Sequence, residues 1–261
     1  MPDRRKNDKS RVAGKSRGVT MPVLLCAVLM LFGLSACAGA VRTVRPVPSA
    51  LEEAAPADFP RESLSEANAC HTARLDYPFF GRPALDQAVR QRAESLFRDI
   101  LAELDQDCPG GTDKNPKASF EAACLVFNTR QTVSVRFDTW VYTGGAHGLE
   151  GVRTATLRLD NGSELGYRDL FSRPEGLWEF LADYVRAALR PTLEAYWQTM
   201  PEYEAGLDSK EESFRHFAVT PAGLSLFFPP YQLAPYSAGA QYCDIPLEKL
   251  LRFVPRPGVW D

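Results

Sequence analysis

Histidine is scarce: the 261 residues contain only His71, His147 and His216. They are widely separated, and no Cys-x-x-Cys occurs, so the sequence argues for neither a metal nor a cofactor. Past the first 37 residues, no apolar run approaches the roughly 20 residues that a bilayer-spanning helix requires. Surplus positive charge is missing as well. The formal net charge is −3, yet Arg4, Arg5, Lys6, Lys9, Arg11, Lys15 and Arg17 all crowd the start of the chain, which leaves the remainder clearly acidic. Such a module lacks the electrostatic footprint of a nucleic-acid binder and has no general attraction to anionic lipid. It suits a cationic partner. The apolar fraction of 45% and charged fraction of 24% are ordinary globular values. They argue against disorder and for one large domain or two small interlocked ones.

What the first residues do contain is a leader. The basic stretch ends at Arg17, and an apolar run from Met21 to Gly33 follows, the length of a signal peptide's central region. Leu34-Ser35-Ala36-Cys37 comes next. A branched aliphatic residue, two small residues and a cysteine resemble the lipobox of bacterial lipoproteins, in which the thiol takes up diacylglycerol. The reading is a signal peptide over 1–36 and a palmitate-class anchor on Cys37, with acyl chains that hold by about 0.8 kcal/mol per buried methylene. Membrane association then runs through the N-terminal lipid. Ala38, rather than Asp, after the cysteine fits the outer membrane where two membranes exist. Residues 37–67, with Pro46, Pro48, Pro56 and Pro60, read as a flexible tether. In an oxidising compartment the remaining Cys70, Cys108, Cys124 and Cys243 suggest two disulfides. The pairing favoured is Cys108 with Cys124 and Cys70 with Cys243, out of three possibilities.

The folded part separates helices from strands. His71–Tyr77 reads as a strand; Pro83 opens a helix in which Leu85, Val89, Leu96, Ile100, Leu101 and Leu104 recur at three- and four-residue steps. Phe120–Asn128, Gln131–Tyr142 and Gly151–Leu159 read as strands. In the second, Val133, Val135, Phe137, Thr139 and Val141 alternate with Ser134, Arg136 and Asp138. Asp160-Asn161-Gly162-Ser163 predicts a hairpin turn. A second helix starts near Ser172, with a kink or restart expected at Pro191. Phe214–Val219 and Leu224–Phe228 flank a turn, Gln241–Ile245 gives a last strand, and Pro246–Leu251 a helical turn. The expected class is α+β: antiparallel sheets packed with a few helices, in two interlocked subdomains.

Two segments carry candidate chemistry. In Tyr142-Thr143-Gly144-Gly145-Ala146-His147-Gly148, three glycines allow sharp bends and close backbone approach. His147 can serve there as base, ligand or hydrogen-bond donor. The segment contains neither Gly-Lys-Ser/Thr nor Gly-x-Ser-x-Gly, which excludes a phosphate loop and a nucleophile elbow at that place. A plain strand connection is the competing reading. The second segment, Phe227 to Gly239, holds Pro229, Pro230, Pro235, Tyr231 and Tyr236. Its amphipathic rings on a stiff loop suit either recognition or the covering of a sheet.

These segments, with Asp169-Leu170-Phe171 and Thr220-Pro221-x-Gly223-Leu224, resemble the DUF3298 (RsiV-like C-terminal) family, and the region from Cys70 through the first helix resembles its companion DUF4163. The resemblance implies a DUF4163-like region over 68–148, a DUF3298-like region over 149–252 and a tail at 253–261. It also implies envelope sensing or binding, since the family includes the lysozyme-recognising part of an anti-sigma factor and a module ahead of a peptidoglycan deacetylase. The ligand-binding residues expected on this reading are Tyr142, Thr143, Gly144, Gly145, His147, Gly148, Tyr231 and Tyr236, and the partner is a peptidoglycan fragment or a basic lysozyme-like protein. A hydrolase or deacetylase using His147 with Asp138 or Glu150 is the alternative, and a passive scaffold the third. No catalytic residue is assigned.

Overall fold

The computed structural model describes residues 59–106 and 118–260. The signal peptide, Cys37, residues 38–58 of the expected tether and Cys108 lie outside them. The fold is α+β. A five-stranded sheet comes first, in the order β1 (Arg61–Ala67), β2 (His71–Pro78), β3 (Ala118–Asn128), β4 (Thr132–Tyr142), β5 (Leu149–Arg158). Helix α1 (Pro83–Gln106) packs one face. Leu85, Val89, Ala93, Leu96, Ile100 and Leu104 form its inward stripe, all buried against Ala73, Leu75, Tyr77, Phe120, Ala122, Val133, Val135 and Phe137. Because α1 carries the chain back over the sheet, β3 runs parallel to β2, so this sheet is mixed rather than purely antiparallel as expected. The tether also ends earlier than residue 67. Residues 61–67 pair with β2 along their whole length, although only Leu64 among them is not fully exposed. Backbone hydrogen bonds, with side-chain bonds such as Tyr77 O–H to Glu62 at 2.6 Å, hold this polar edge strand in place more than apolar burial does.

The second half builds a three-stranded antiparallel sheet from β6 (Phe217–Thr220), β7 (Gly223–Phe228) and β8 (Gln241–Pro246). The short helix α2 (Tyr167–Leu170) and the long helix α3 (Leu177–Thr199) contribute to its core, which gathers Tyr167, Leu170, Phe171, Leu181, Val185, Trp197, Phe214, Phe228 and Ile245. After β8, Leu247–Leu250 forms the expected helical turn, α4. Strand β6 lies at the sheet's edge, against β3, β4 and β5. Its outward amides find partners there: Phe217 N–H donates to Thr154 Oγ1 at 3.1 Å and Val219 N–H to Ser134 Oγ at 2.9 Å. Ser134 in turn meets Thr156 Oγ1 at 2.8 Å. Val152, Ala218 and Phe227 fill the space beside these bonds, with the Arg136 guanidinium 4.7 Å over the Phe227 ring. Hydroxyls on the polar phase of β4 and β5 thus stitch the two sheets together. Ser134→Ala should cost about 1–3 kcal/mol, because the buried Val219 amide loses its acceptor. Urea denaturation checks this; a midpoint equal to wild type would show that the bond contributes nothing net.

Three expectations are corrected. Cys124 and Cys243 are free, buried thiols, so neither favoured disulfide pairing forms. Cys124 faces the α1 core and Cys243 the other one, each with its thiol pKa raised chiefly by burial, Cys243 to about 12. Cys70 is not a free thiol. Helix α3 passes through Pro191 without interruption. The carbonyl that Pro191 leaves without an amide belongs to Ala187, and both residues lie on the exposed side, so no buried polar group is left unpaired. The Asn161-Gly162 turn forms, with Gly162 at φ +71° and Arg158 N–H donating to Ser163 O, but the returning arm makes a single bridge, Leu157 to Glu164, instead of a strand.

Candidate functional site

Residues 143–148 connect β4 to β5. Tyr142 and Leu149 end the two strands, and Gly144 turns the chain at φ +94°. Thr143, Gly144, Gly145 and Ala146 are exposed. His147 is held locally: its Nδ1 donates to the Gly148 carbonyl at 2.8 Å. Gly148 is buried beneath Trp140. A Cβ there would fall 2.2–2.5 Å from three indole atoms, so the ring lies where only glycine leaves room.

The tyrosine loop approaches from the other sheet, after β7. Tyr231 sits at φ +70°, a conformation a tyrosine adopts only when its surroundings impose it. Several bonds do so. Tyr231 N–H donates to Ala234 O and Gln232 N–H to Pro229 O; the Gln232 side-chain amide reaches Gly206 O and Ser213 O; Trp197 Nε1 donates to Leu233 O at 2.9 Å. Leu233 and Ala234 are buried beneath. Tyr231, by contrast, is 49% exposed.

The two loops meet. The His147 and Tyr236 rings stack at 4.3 Å between centroids and 18° between planes, and Tyr231 lies 5.9 Å from Tyr236. On the other side of Gly148, Trp140 and Tyr142 stack at 5.8 Å and 13°. Of the expected residues, His147, Tyr231 and Tyr236 thus form one ring cluster, while Tyr142 pairs with Trp140 at the end of β4 and Gly148 is buried beneath that tryptophan. Thr143, Gly144 and Gly145 shape its connecting loop without adding a ring. Trp140 was not singled out from the sequence. Its signal was there: it falls on the polar phase of β4, with Ser134, Arg136 and Asp138, where an aromatic has no core to enter.

The other histidines are structural. His71 is wholly buried, with carboxylate oxygens of Glu66 and Asp105 each 3.3 Å from a ring nitrogen, and it ties the ends of β1 and α1 to the start of β2. His216 accepts a hydrogen bond from Arg215 Nε at 3.1 Å, and burial, then Arg215 and Arg153, pulls its pKa down to about 3. The carboxylate–histidine pair of the hydrolase reading does not assemble. Asp138 is ion-paired with Arg136 at 2.8 Å, and among the described residues no carboxylate is bonded to His147. Among the described residues there is no group of three or more potential metal ligands, and no helix is long and apolar enough to cross a membrane.

Comparison with known proteins agrees with this architecture. The chain is 26% identical over 176 residues to the peptidoglycan-N-acetylmuramic acid deacetylase PdaC of Bacillus subtilis strain 168, covering 64% of this chain and 35% of the relative. It thus spans about a third of that enzyme's length. A DUF3298 family crystal structure from Pseudomonas aeruginosa PAO1 has a similar fold, with a TM-score of 0.57 at 20% identity, over 78% of this chain and 98% of the other. A second, from Bacteroides fragilis NCTC 9343, has a TM-score of 0.51 at 17% identity, over 77% and 94%. The family match begins at Arg168, later than the expected 149, so it contains Tyr231 and Tyr236 but not His147. Residues 168–248 match the model of the DUF3298 family, described as a protein of unknown function.

Proposed function

We propose that this chain is a lipid-anchored extracytoplasmic protein whose aromatic surface binds an envelope ligand, a peptidoglycan fragment or a basic lysozyme-like protein, without catalysing a reaction on it. The observation that carries the reading is the stacking of His147 on Tyr236. Two loops distant in sequence present their rings together at the surface, and Tyr231 is held there in a conformation that costs energy and serves no core. Exposed amphipathic rings on rigid supports are what recognition needs, since little side-chain freedom is lost on binding. The leader ending at Leu34-Ser35-Ala36-Cys37 supports the compartment, and the acidic remainder supports steering of a basic protein partner. Residues 68–148 are read as the DUF4163-like companion of the matched domain. The resemblance to part of a peptidoglycan deacetylase supports wall material as ligand.

The test is recovery of ligand from envelope extract and from purified peptidoglycan by wild type and by a His147→Ala/Tyr236→Ala variant. We expect the variant's affinity to fall by about tenfold or more, the usual cost of losing two central aromatic contacts. Equal recovery by both proteins would remove the loops from the site. Release of soluble product from peptidoglycan by wild type, lost on His147→Ala, would replace binding with catalysis.

A further inference from the structure

One face of the five-stranded sheet is only half covered. The end carrying Ser134, Thr156 and Val152 lies under β6, while the end carrying Trp140 is open. In the sheet's register Glu121 on β3 and Glu150 on β5 stand directly opposite Trp140 on β4, one on each side. Directly opposed residues on adjacent strands place their Cβ atoms about 4.5–5.5 Å apart, which is within the length of a glutamate side chain of the indole's borders. Both glutamates are exposed, as is Trp140, at 37%. The cations of this face are engaged elsewhere. Arg74, opposite Glu121, turns to Asp76 at 2.9 Å and to Ser63; Arg136 turns to Asp138 and to the Phe227 ring. Among the described residues neither Glu121 nor Glu150 has an ion-pair partner, so the uncompensated charge of this face is concentrated beside the tryptophan.

The geometry points to a binding site for an amino sugar bearing a free ammonium, as in a de-N-acetylated hexosamine glycan. A pyranose has an apolar C–H face that packs on an indole, and Tyr142, stacked on Trp140 at 5.8 Å, fixes the orientation of that ring. An ammonium at the ring's margin meets the π face of tryptophan and a carboxylate together, and both attractions require the charge. An N-acetyl group in its place would bring no charge and would leave the two carboxylates without a cation. This deepens the proposed function and rests on its reading of the ligand as wall material. The new elements are Trp140, Glu121 and Glu150, and a preference for sugar from which acetyl has been removed.

The probes are a chitosan hexamer, its fully N-acetylated counterpart and a lysine hexamer, titrated by calorimetry in low salt. We expect the chitosan hexamer to bind at least about tenfold more tightly than either of the others, with the affinity falling as salt is raised. Trp140→Ala and the Glu121→Gln/Glu150→Gln pair should each weaken it by about tenfold, and Trp140→Phe by less. Unchanged thermal melting establishes that the exposed substitutions leave the fold intact. Equal affinity for the acetylated hexamer overturns ammonium recognition, and equal affinity for the lysine hexamer overturns sugar recognition. Loss of peptidoglycan binding in the His147→Ala/Tyr236→Ala variant with the chitosan preference absent in wild type rejects this inference alone. The preference persisting while that variant binds wall material normally rejects the loop site alone.

Discussion

Gly206→Ala should lower stability by about 2–3 kcal/mol and at the same time dismantle half of the aromatic surface. A Cβ at position 206 would lie 2.1 Å from the backbone oxygen of Gln232 and 3.1 Å from both its carbonyl carbon and Leu233 Cδ2. Backbone cannot rotate away as a side-chain tip does, so either the 3-10 turn Pro201–Leu207 or the tyrosine loop must move. Displacement of the loop also strains the bonds from Gln232 to Gly206 O and Ser213 O and from Trp197 to Leu233 O, all in a region where Leu233 and Ala234 have no exposed space to shift into. Tyr236 rides on that loop and would leave His147. Urea denaturation should show the lower midpoint, and ligand affinity should fall together with it. Gly145→Ala provides the contrast. The nearest atom to its added methyl is 4.0 Å away, so stability should stay within about 0.5 kcal/mol although the residue lies in the glycine loop itself. Wild-type stability in Gly206→Ala would mean that the loop tolerates the displacement and is not the rigid support argued above.

This contrast bears on how much of the fold and the site is legible in the sequence. Elements with an apolar period were legible: the three- and four-residue steps of α1 and the alternation of β4 each specify a buried face, and both elements lie within a residue or two of expectation. Strand β1 was not legible, because Arg61, Glu62, Ser63, Ser65 and Glu66 carry no such period and the strand is held by β2's backbone. Nor was the direction of β3, which depends on where α1 deposits the chain. The candidate loops were found from composition, yet nothing in either loop announces that His147 and Tyr236 stack; that follows from β6 docking on β4 and β5 through Ser134 and Thr154. The cysteines misled for the same reason. Parity and compartment suggested pairs, but β3 and β8 bury Cys124 and Cys243 in separate cores. Composition named the materials of the site, and tertiary packing decided which of them touch.

Acid should destabilise the protein through a residue far from that surface. His216 is buried, with its pKa pulled down to about 3 by burial first and by Arg215 and Arg153 after it. In the unfolded chain the imidazole titrates near 6.5. Between these values the unfolded state binds a proton that the folded state refuses, so stability is fully present above pH 6.5 and declines as pH falls toward 3. One such proton changes stability by about 1.4 kcal/mol per pH unit, a few kcal/mol over the whole window. The cause is geometric. His216 Nε2 accepts from Arg215 Nε, and a protonated ring would lose that role and set two cations 3.1 Å apart beside the buried end of β6. His216→Gln retains an acceptor but has no proton to gain, so its denaturation midpoint should vary less between pH 7 and pH 4 than that of wild type, even if it starts lower. The slope, not the absolute midpoint, separates titration from packing. Parallel pH dependences for the two proteins would show that His216 takes up its proton equally in the folded and unfolded states and that the acid response arises among the surface carboxylates.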